Sequence, residues 1–252
     1  MILTVLGSGS AFSAPHRYNS CCLLEAGETK IMIDCGSDAL RAVQKAGVDL
    51  SQIQAIFITH MHADHCGGLP AVVTAMHVAD RDAPIEVFVP HTHMEFVRTW
   101  FAHLFLYSER LAFPMAVRAI YPGKVKLENG TDLEFIENSH LQKYHQFSGP
   151  IGIGTASFSL VARNGGANFF YSGDIDHVED VRSYLDDTLS LVEATHPSLD
   201  ELAALANEGK ESVYFTHIPQ ELEDGGEWKR ELEHRFGITN LNVVHDGQVL
   251  VV

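Results

Sequence analysis

The sequence predicts an α/β protein of two mixed sheets packed face to face, with helices on the outer surfaces. Three observations carry this. Short strand-like apolar runs alternate with helical patterns in both halves of the 252-residue chain. A hydrophobic content of 46 % is enough to fill a sizeable core. No linker, low-complexity tract or short repeat divides the chain, so one domain over residues 1–252 is expected.

Taken in order, Ile2–Leu6, Cys21–Glu25 and Lys30–Asp34 read as strands, and Asp38–Ala46 as a helix stopped by Gly47. Ala55–Thr59 is a β-branched run of the length of a buried strand, and it stops at His60. Gly67–Val78 reads as a helix, with Gly67-Gly68 allowing a sharp turn after the histidines. Ile85–Val89 and Val117–Tyr121 flank a helical stretch from Thr92 to Tyr107 whose aromatics, Phe96, Trp100, Phe101, Phe105 and Tyr107, suit core packing or a dimer face. Asn129-Gly130 marks a hairpin between Lys124–Glu128 and Asp132–Glu137, and Asn164-Gly165-Gly166 another between Ala156–Ala162 and Asn168–Ser172. The last part alternates strand Leu189–Glu193, helix Leu199–Asn207, strand Ser212–Thr216, a further helix, then strands Leu241–Val244 and Gln248–Val252.

Seventeen basic against 33 acidic side chains give a formal charge of −16, which argues against a broad surface for long nucleic acid. No run reaches the roughly 18 apolar residues of a membrane span. The start Met1-Ile2-Leu3-Thr4-Val5-Leu6-Gly7 lacks a basic leader, and a cytoplasmic location is expected. Cys21, Cys22, Cys35 and Cys66 have no CxxC spacing and read as small buried thiols.

Thr59-His60-Met61-His62-Ala63-Asp64-His65 places four ligand-type side chains within six positions. On an extended strand end His60 and His62 point the same way and can chelate one ion. If the chain then turns into a helix, Asp64 and His65 face a neighbouring point. Imidazole and carboxylate donors suit zinc, with manganese or iron(II) as alternatives. Two ions need more donors, and these are expected at the ends of other strands. His140 follows Asp132–Glu137, Asp174 follows Asn168–Ser172, and His217 follows Ser212–Thr216.

This series, T-H-x-H-x-D-H, a lone His, S-G-D and T-H, resembles the metallo-β-lactamase superfamily over essentially the whole chain. The resemblance implies a four-layer αβ/βα sandwich with a dinuclear site at one edge. It assigns His60, His62 and His140 to one ion, Asp64, His65 and His217 to the other, and Asp174 between them. His145, in the following loop, is the alternative to His140. The opening Leu6-Gly7-Ser8-Gly9-Ser10-Ala11 with Arg17-Tyr18-Asn19-Ser20, the run Glu193-Ala194-Thr195, and His196, 21 residues before His217, resemble the ribonuclease Z and cyclic phosphodiesterase branch. On that pattern His196 is the general acid, Glu193 its orienting partner, and Asp64 both ligand and orienter of the nucleophile. His245-Asp246-Gly247 resembles the ending of the same relatives and could support a ligand from outside.

The chemistry expected is hydrolysis by a hydroxide bridging two divalent ions, acting on a small nucleotide-like or cyclic phosphodiester. Ribonuclease Z relatives carry a long basic arm between the third-motif histidine and the bridging aspartate. Here only 33 residues separate His140 from Asp174, with Lys143 and Arg163 the basic residues between them. This turns the expectation away from tRNA 3′ processing. A lactonase or thioesterase, which would show an apolar pocket and a tyrosine instead of His196, and a metal-loaded non-catalytic sensor are the other readings. A homodimer is what the resemblance suggests.

Overall fold

The computed structural model describes residues 1–186 and 188–252. The strands are β1 (Ile2–Gly7), β2 (Cys21–Ala26), β3 (Thr29–Ile33), β4 (Ile53–Phe57), β5 (Ile85–Pro90), β6 (Met115–Ile120), β7 (Gly123–Lys126), β8 (Asp132–Glu137), β9 (Phe158–Asn164), β10 (Ala167–Tyr171), β11 (Leu189–Glu193), β12 (Val213–Thr216) and β13 (Val249–Val251). The helices are α1 (Ala39–Ala46), α2 (Ala63–Cys66), α3 (Leu69–Val78), α4 (Met94–His103), α5 (His145–Ser148), α6 (Leu199–Asn207) and α7 (Glu227–Phe236). They build a seven-stranded sheet in the order β13-β1-β2-β3-β4-β5-β6 and a six-stranded sheet in the order β12-β11-β10-β9-β8-β7.

Side-chain alternation along the strands decides which face each residue joins. Leu3, Val5, Ala55 and Phe57 from the first sheet meet Phe135, Phe158, Phe169 and Tyr171 from the second in the inner core. Phe57 stacks on Phe88 at 4.5 Å and reaches Phe135 at 5.4 Å, so one ring ties the two sheets together. The alternate positions Ile56 and Ile58 turn outward onto Val72, Val73 and Met76 of α3. On the far side Phe170 and Val192 pack with Leu202 of α6 and Leu232 of α7. The result is the four-layer αβ/βα sandwich that the sequence predicts.

Most element bounds agree with the sequence reading, and the differences have local causes. Helix α6 begins where expected because Ser198 and Glu201 form a capping box. The helical turn after the histidines starts earlier than expected, at Ala63. Gly67 and Gly68 keep ordinary right-handed backbone. Gly68 is required by proximity instead: a Cβ there would sit 2.2 Å from the Gly36 carbonyl oxygen. Helix α4 ends at His103, leaving Phe105, in a left-handed conformation at φ 59°, and Tyr107 beyond it. Leu241–Val244 does not form a strand; it runs beside β12 but bridges it only at Val243 opposite Phe215.

All four cysteines are free and buried. No helix among the described residues is long and apolar enough to cross a membrane.

The sequence gives no hint of the role of Arg81. This buried guanidinium donates to the carbonyls of Ala83 (2.7 Å), Leu50 (2.5 Å), Ile53 (2.7 Å) and Pro84 (2.8 Å) and lies over Phe113. Arg81→Met keeps the apolar stem and orphans those carbonyls. We expect a loss of about 2–4 kcal/mol, read as a lower midpoint in urea with an unchanged slope.

Candidate metal and catalytic site

The site lies at one edge of the sandwich, where most of its groups follow strands and Asp64 and His65 stand on α2. β3 is followed by Asp34, β4 by His60, β8 by His140, β10 by Asp174, β11 by His196 and β12 by His217. This is where sheets with parallel strands expose unpaired chain ends and collect functional groups. Thr59 seals the seam, its carbonyl accepting from the Phe158 amide of the facing sheet at 3.1 Å. Two of these residues, Asp34 (φ 59°) and His217 (φ 53°), hold left-handed backbone, which costs a non-glycine residue about 1–3 kcal/mol and is concentrated at functional sites. Gly173 (φ 55°) turns the chain so that Asp174 enters the centre, and a Cβ there would press to 2.8 Å from the Phe158 carbonyl oxygen.

The side chains converge as two donor sets that share one carboxylate. His60, His62, His140 and Asp174 form the first, Asp64, His65 and His217 gather beside it, and Asp174 and His217 also lie within reach of a third grouping with Glu193 and His196. In the first, His60 Nε2 lies 3.1 Å from His62 Nδ1, His140 Nε2 lies 3.4 Å from the same atom, and both are 3.6 Å from Asp174 Oδ2. In the second, Asp174 Oδ1 is 3.0 Å from His65 Nε2 and 3.6 Å from His217 Nε2. Asp64 Oδ2 lies 3.0 Å from His217 Nε2 and 3.8 Å from His65 Nε2. Donors placed about 2.0–2.1 Å from a tetrahedral zinc ion stand roughly 3.3 Å apart, so both sets have the dimensions of a cation cage.

Burial supports the same reading. Asp174 Oδ1 and Oδ2 and His65 Nε2 are buried without a well-formed hydrogen bond, the 3.0 Å approach of Oδ1 to His65 Nε2 included. A buried carboxylate with both oxygens unsatisfied is expensive unless a cation neutralises it. The residues present therefore fit a pair of divalent ions.

The remaining ring nitrogens are held from outside. His65 Nδ1 donates to Asp34 Oδ2 at 2.7 Å, and Asp34 also accepts from Tyr171 Oη and from the Thr59 amide and hydroxyl. His217 Nδ1 meets Thr195 Oγ1 at 3.1 Å, whereas His140 Nδ1 makes no hydrogen bond and has Asp176 Oδ1 3.5 Å away. Such partners fix which imidazole nitrogen points inward. Burial alone would lower the His217 imidazole, but the Asp174 carboxylate and the bond to Asp64 outweigh it and push it up to about 10. Burial would raise Asp174, yet His217, His65 and His60 hold it well below the usual carboxylate range. Burial pushes His140 down to about 4.

His196 lies against this centre with a side chain 27 % exposed. Its Nδ1 donates to Glu193 Oε1 at 2.8 Å and is 3.6 Å from Asp174 Oδ2. Burial lowers its affinity for a proton, but the bond and charge of Glu193 prevail and raise it. Ser198 caps α6 itself, so that helix does not need His196 as its cap. Glu193 is fully buried and spends its oxygens on His196 Nδ1 and the amides of Ile175, Thr195 and His196.

Other histidines lie outside the centre. His145 is exposed on α5 and joins neither donor set. His91 bonds to the Ile120 carbonyl and stacks on Tyr121, and His93 is buried beside Thr92. His245 is exposed, while Asp246 accepts from Ser8 N and Oγ and from Tyr18 N. Ser8 in turn accepts from the Ile218 amide, next to His217, so Asp246 reaches the centre two steps away. Asp34 is the functional residue that sequence reading missed. The available signal was an acid closing an apolar strand, the same pattern that marked the other donors.

A family model described as "Anti-Pycsar protein Apyc1" matches residues 1–236. The anti-Pycsar protein Apyc1 of Paenibacillus xerothermodurans is 29 % identical over 240 residues, 88 % of this chain and 89 % of that one. A ribonuclease Z of Salinibacter ruber is 34 % identical over 85 residues, 34 % of this chain, which spans about a quarter (26 %) of that protein's length. Among solved structures, the metallo-β-lactamase fold protein YhfI from Bacillus subtilis superposes with a TM-score of 0.74 at 17 % identity, covering 99 % of this chain and 98 % of that one.

Proposed function

We propose that this chain, which belongs to the Apyc1 family within the ribonuclease Z and phosphodiesterase branch of the metallo-β-lactamase superfamily, hydrolyses a small cyclic nucleotide or similar phosphodiester. That it is a hydrolase in the broad sense follows from its relatives. The observation that carries the finer reading is Asp174, whose two buried and unpartnered oxygens each face a separate donor set.

His60, His62 and His140 would hold one ion, Asp64, His65 and His217 the other, and Asp174 both, with zinc favoured by the imidazole-rich set. When bound, such ions supply an activated water and neutralise charge on a phosphodiester. The protein's own groups do the rest. Asp64 orients the attacking water. Glu193 grips Nδ1 of His196 and leaves Nε2 as the nitrogen that can protonate the departing alkoxide. Glu193 is thus a positioning residue. We read residues 1–252 as one domain and a homodimer as its working form.

The small substrate is supported by the two basic residues between His140 and Asp174. Lys143 is paired with Asp176 at 2.7 Å and Arg163 with Glu134 at 2.8 Å, which spends their charge within the protein. The lactonase or thioesterase reading asks for a tyrosine in place of His196. Tyr144 does stand beside His62, but His196 is held against Asp174 as well. With the purified zinc- or manganese-loaded protein, we expect turnover of bis-p-nitrophenyl phosphate and of a cyclic nucleotide, and little with a homoserine lactone or a thioester. Lactone turnover without phosphodiester cleavage would overturn the assignment.

A further inference from the structure

Twelve residues after His140 fold into an irregular helical flap: a 3₁₀ turn Gln142–Tyr144, helix α5, and a second 3₁₀ turn Gly149–Ile151 that closes at Gly152. Tyr144, Phe147 and Ile151 follow one another at i, i+3 and i+7, the spacing that gathers side chains on one side of a helical segment. All three are exposed, Phe147 by 69 % and Ile151 by 71 %. An apolar row left in water is unusual unless something covers it. This row begins at the reaction centre, because the Tyr144 ring meets the His62 ring edge-on, centroids 5.7 Å apart. The flap is also anchored. Lys143 bonds Asp176 at 2.7 Å and places its ammonium 5.8 Å from the Tyr144 ring centre, while Gly154, just after the flap, fits closely against Thr92.

From this placement we propose that Tyr144, extended by Phe147, is the stacking platform for the base of the substrate, the contact that separates a nucleotide from a plain phosphodiester. This rests on the phosphodiesterase reading and deepens it. The donor sets and His196 engage the phosphoester and its leaving oxygen. A protein with a charge of −16, whose nearby Lys143 is already paired, has little spare positive charge with which to hold the rest of a nucleotide. Stacking on an aromatic face needs none, and is worth about 1–3 kcal/mol per base, roughly 5- to 150-fold in affinity. The edge-on contact with His62 sets the ring beside the centre without occupying either donor set.

The test compares a 3′,5′-cyclic nucleotide with the same cyclic sugar phosphate lacking its base, in the wild type, Tyr144→Ala and Tyr144→Phe, all metal-loaded. Dissociation constants for the nucleoside monophosphate product are measured alongside. Tyr144→Ala is expected to raise KM for the cyclic nucleotide about 10-fold and weaken product binding by a similar factor, with a smaller change in kcat. The loss should largely vanish on the baseless substrate, and Tyr144→Phe should restore most of the KM. Equal losses on both substrates, or a Phe variant as impaired as Ala, would assign Tyr144 to the flap's architecture or to hydroxyl chemistry and overturn the platform. A change in sedimentation of Tyr144→Ala toward monomer would make the row a subunit contact and overturn it too. Wild-type protein that cleaves neither phosphodiester removes the phosphodiesterase reading and the platform together, whereas cleavage of both with no Tyr144 dependence removes the platform alone.

Discussion

Replacing Asp174 with alanine is expected to empty both donor sets at once and lower turnover by about 10³-fold or more. Other proposed ligands serve one set each; Asp174 gives Oδ2 to His60 and His140 and Oδ1 to His65 and His217. Metal analysis should therefore fall from about two ions per chain toward none, where His62→Ala should retain the set around His217. The stability signature differs in sign from the activity loss. Without cations the wild type buries a carboxylate that has no hydrogen-bond donor, while the alanine variant does not. Chelation should lower the wild-type Tm and leave that of Asp174→Ala nearly unmoved, because a ligand stabilises only a protein that binds it. Identical responses of the two proteins to chelator would sink the shared-ligand assignment.

His196→Ala should lose about 10²-fold or more in kcat on a cyclic nucleotide with its metal content unchanged. The ring nitrogen Nδ1 is committed to Glu193, and the side chain is more exposed than those of His60, His65, His140 and His217. The discriminating measurement is the leaving group. A ribose alkoxide must be protonated as it departs, whereas p-nitrophenolate leaves readily as the anion. The same substitution should therefore cost less than about 10-fold on bis-p-nitrophenyl phosphate. Equal losses on the two substrates would demote His196 from proton donor to a structural residue. Glu193→Gln, which keeps the bond but not the charge, should show a milder version of the same leaving-group dependence.

The donors were legible because His60, His140, Asp174 and His217 each follow an apolar strand, and His62, Asp64 and His65 stand within six positions of one motif, local patterns that survive without knowing the fold. His140, Asp174 and His217 could be found from single segments, and the strand pattern around them also gave the two sheets. Helix α6 was legible to the residue because Ser198 and Glu201 write its start in a four-residue motif. What escaped were relations made by packing. Asp34 supports His65 only because β3 lies beside β4, and the four carbonyls held by Arg81 come from two segments far apart in sequence, 50–53 and 83–84. The early start of α2 was hidden by Gly67-Gly68, whose sequence suggests a turn but whose role is to let α3 approach Gly36. Leu241–Val244 has strand-like composition, yet Asn242 interrupts it and one bridge is all it makes.

The bond between Ser8 and Asp246 joins residues 238 positions apart, and β13 covers the outer edge of β1 with residues 249–251. The outer edge of β1 and the Ser8 loop are therefore completed only when residues 246–251 reach them. The same loop braces Ile218 beside His217 through the Ser8 carbonyl, so the clasp at Asp246 steadies a loop that supports the reaction centre. A nascent chain arrested before residue 246 would carry all seven donors and still lack the clasp that sets one of them. Such long-range closure slows folding, because the entropy of closing the loop is lost before these contacts repay it.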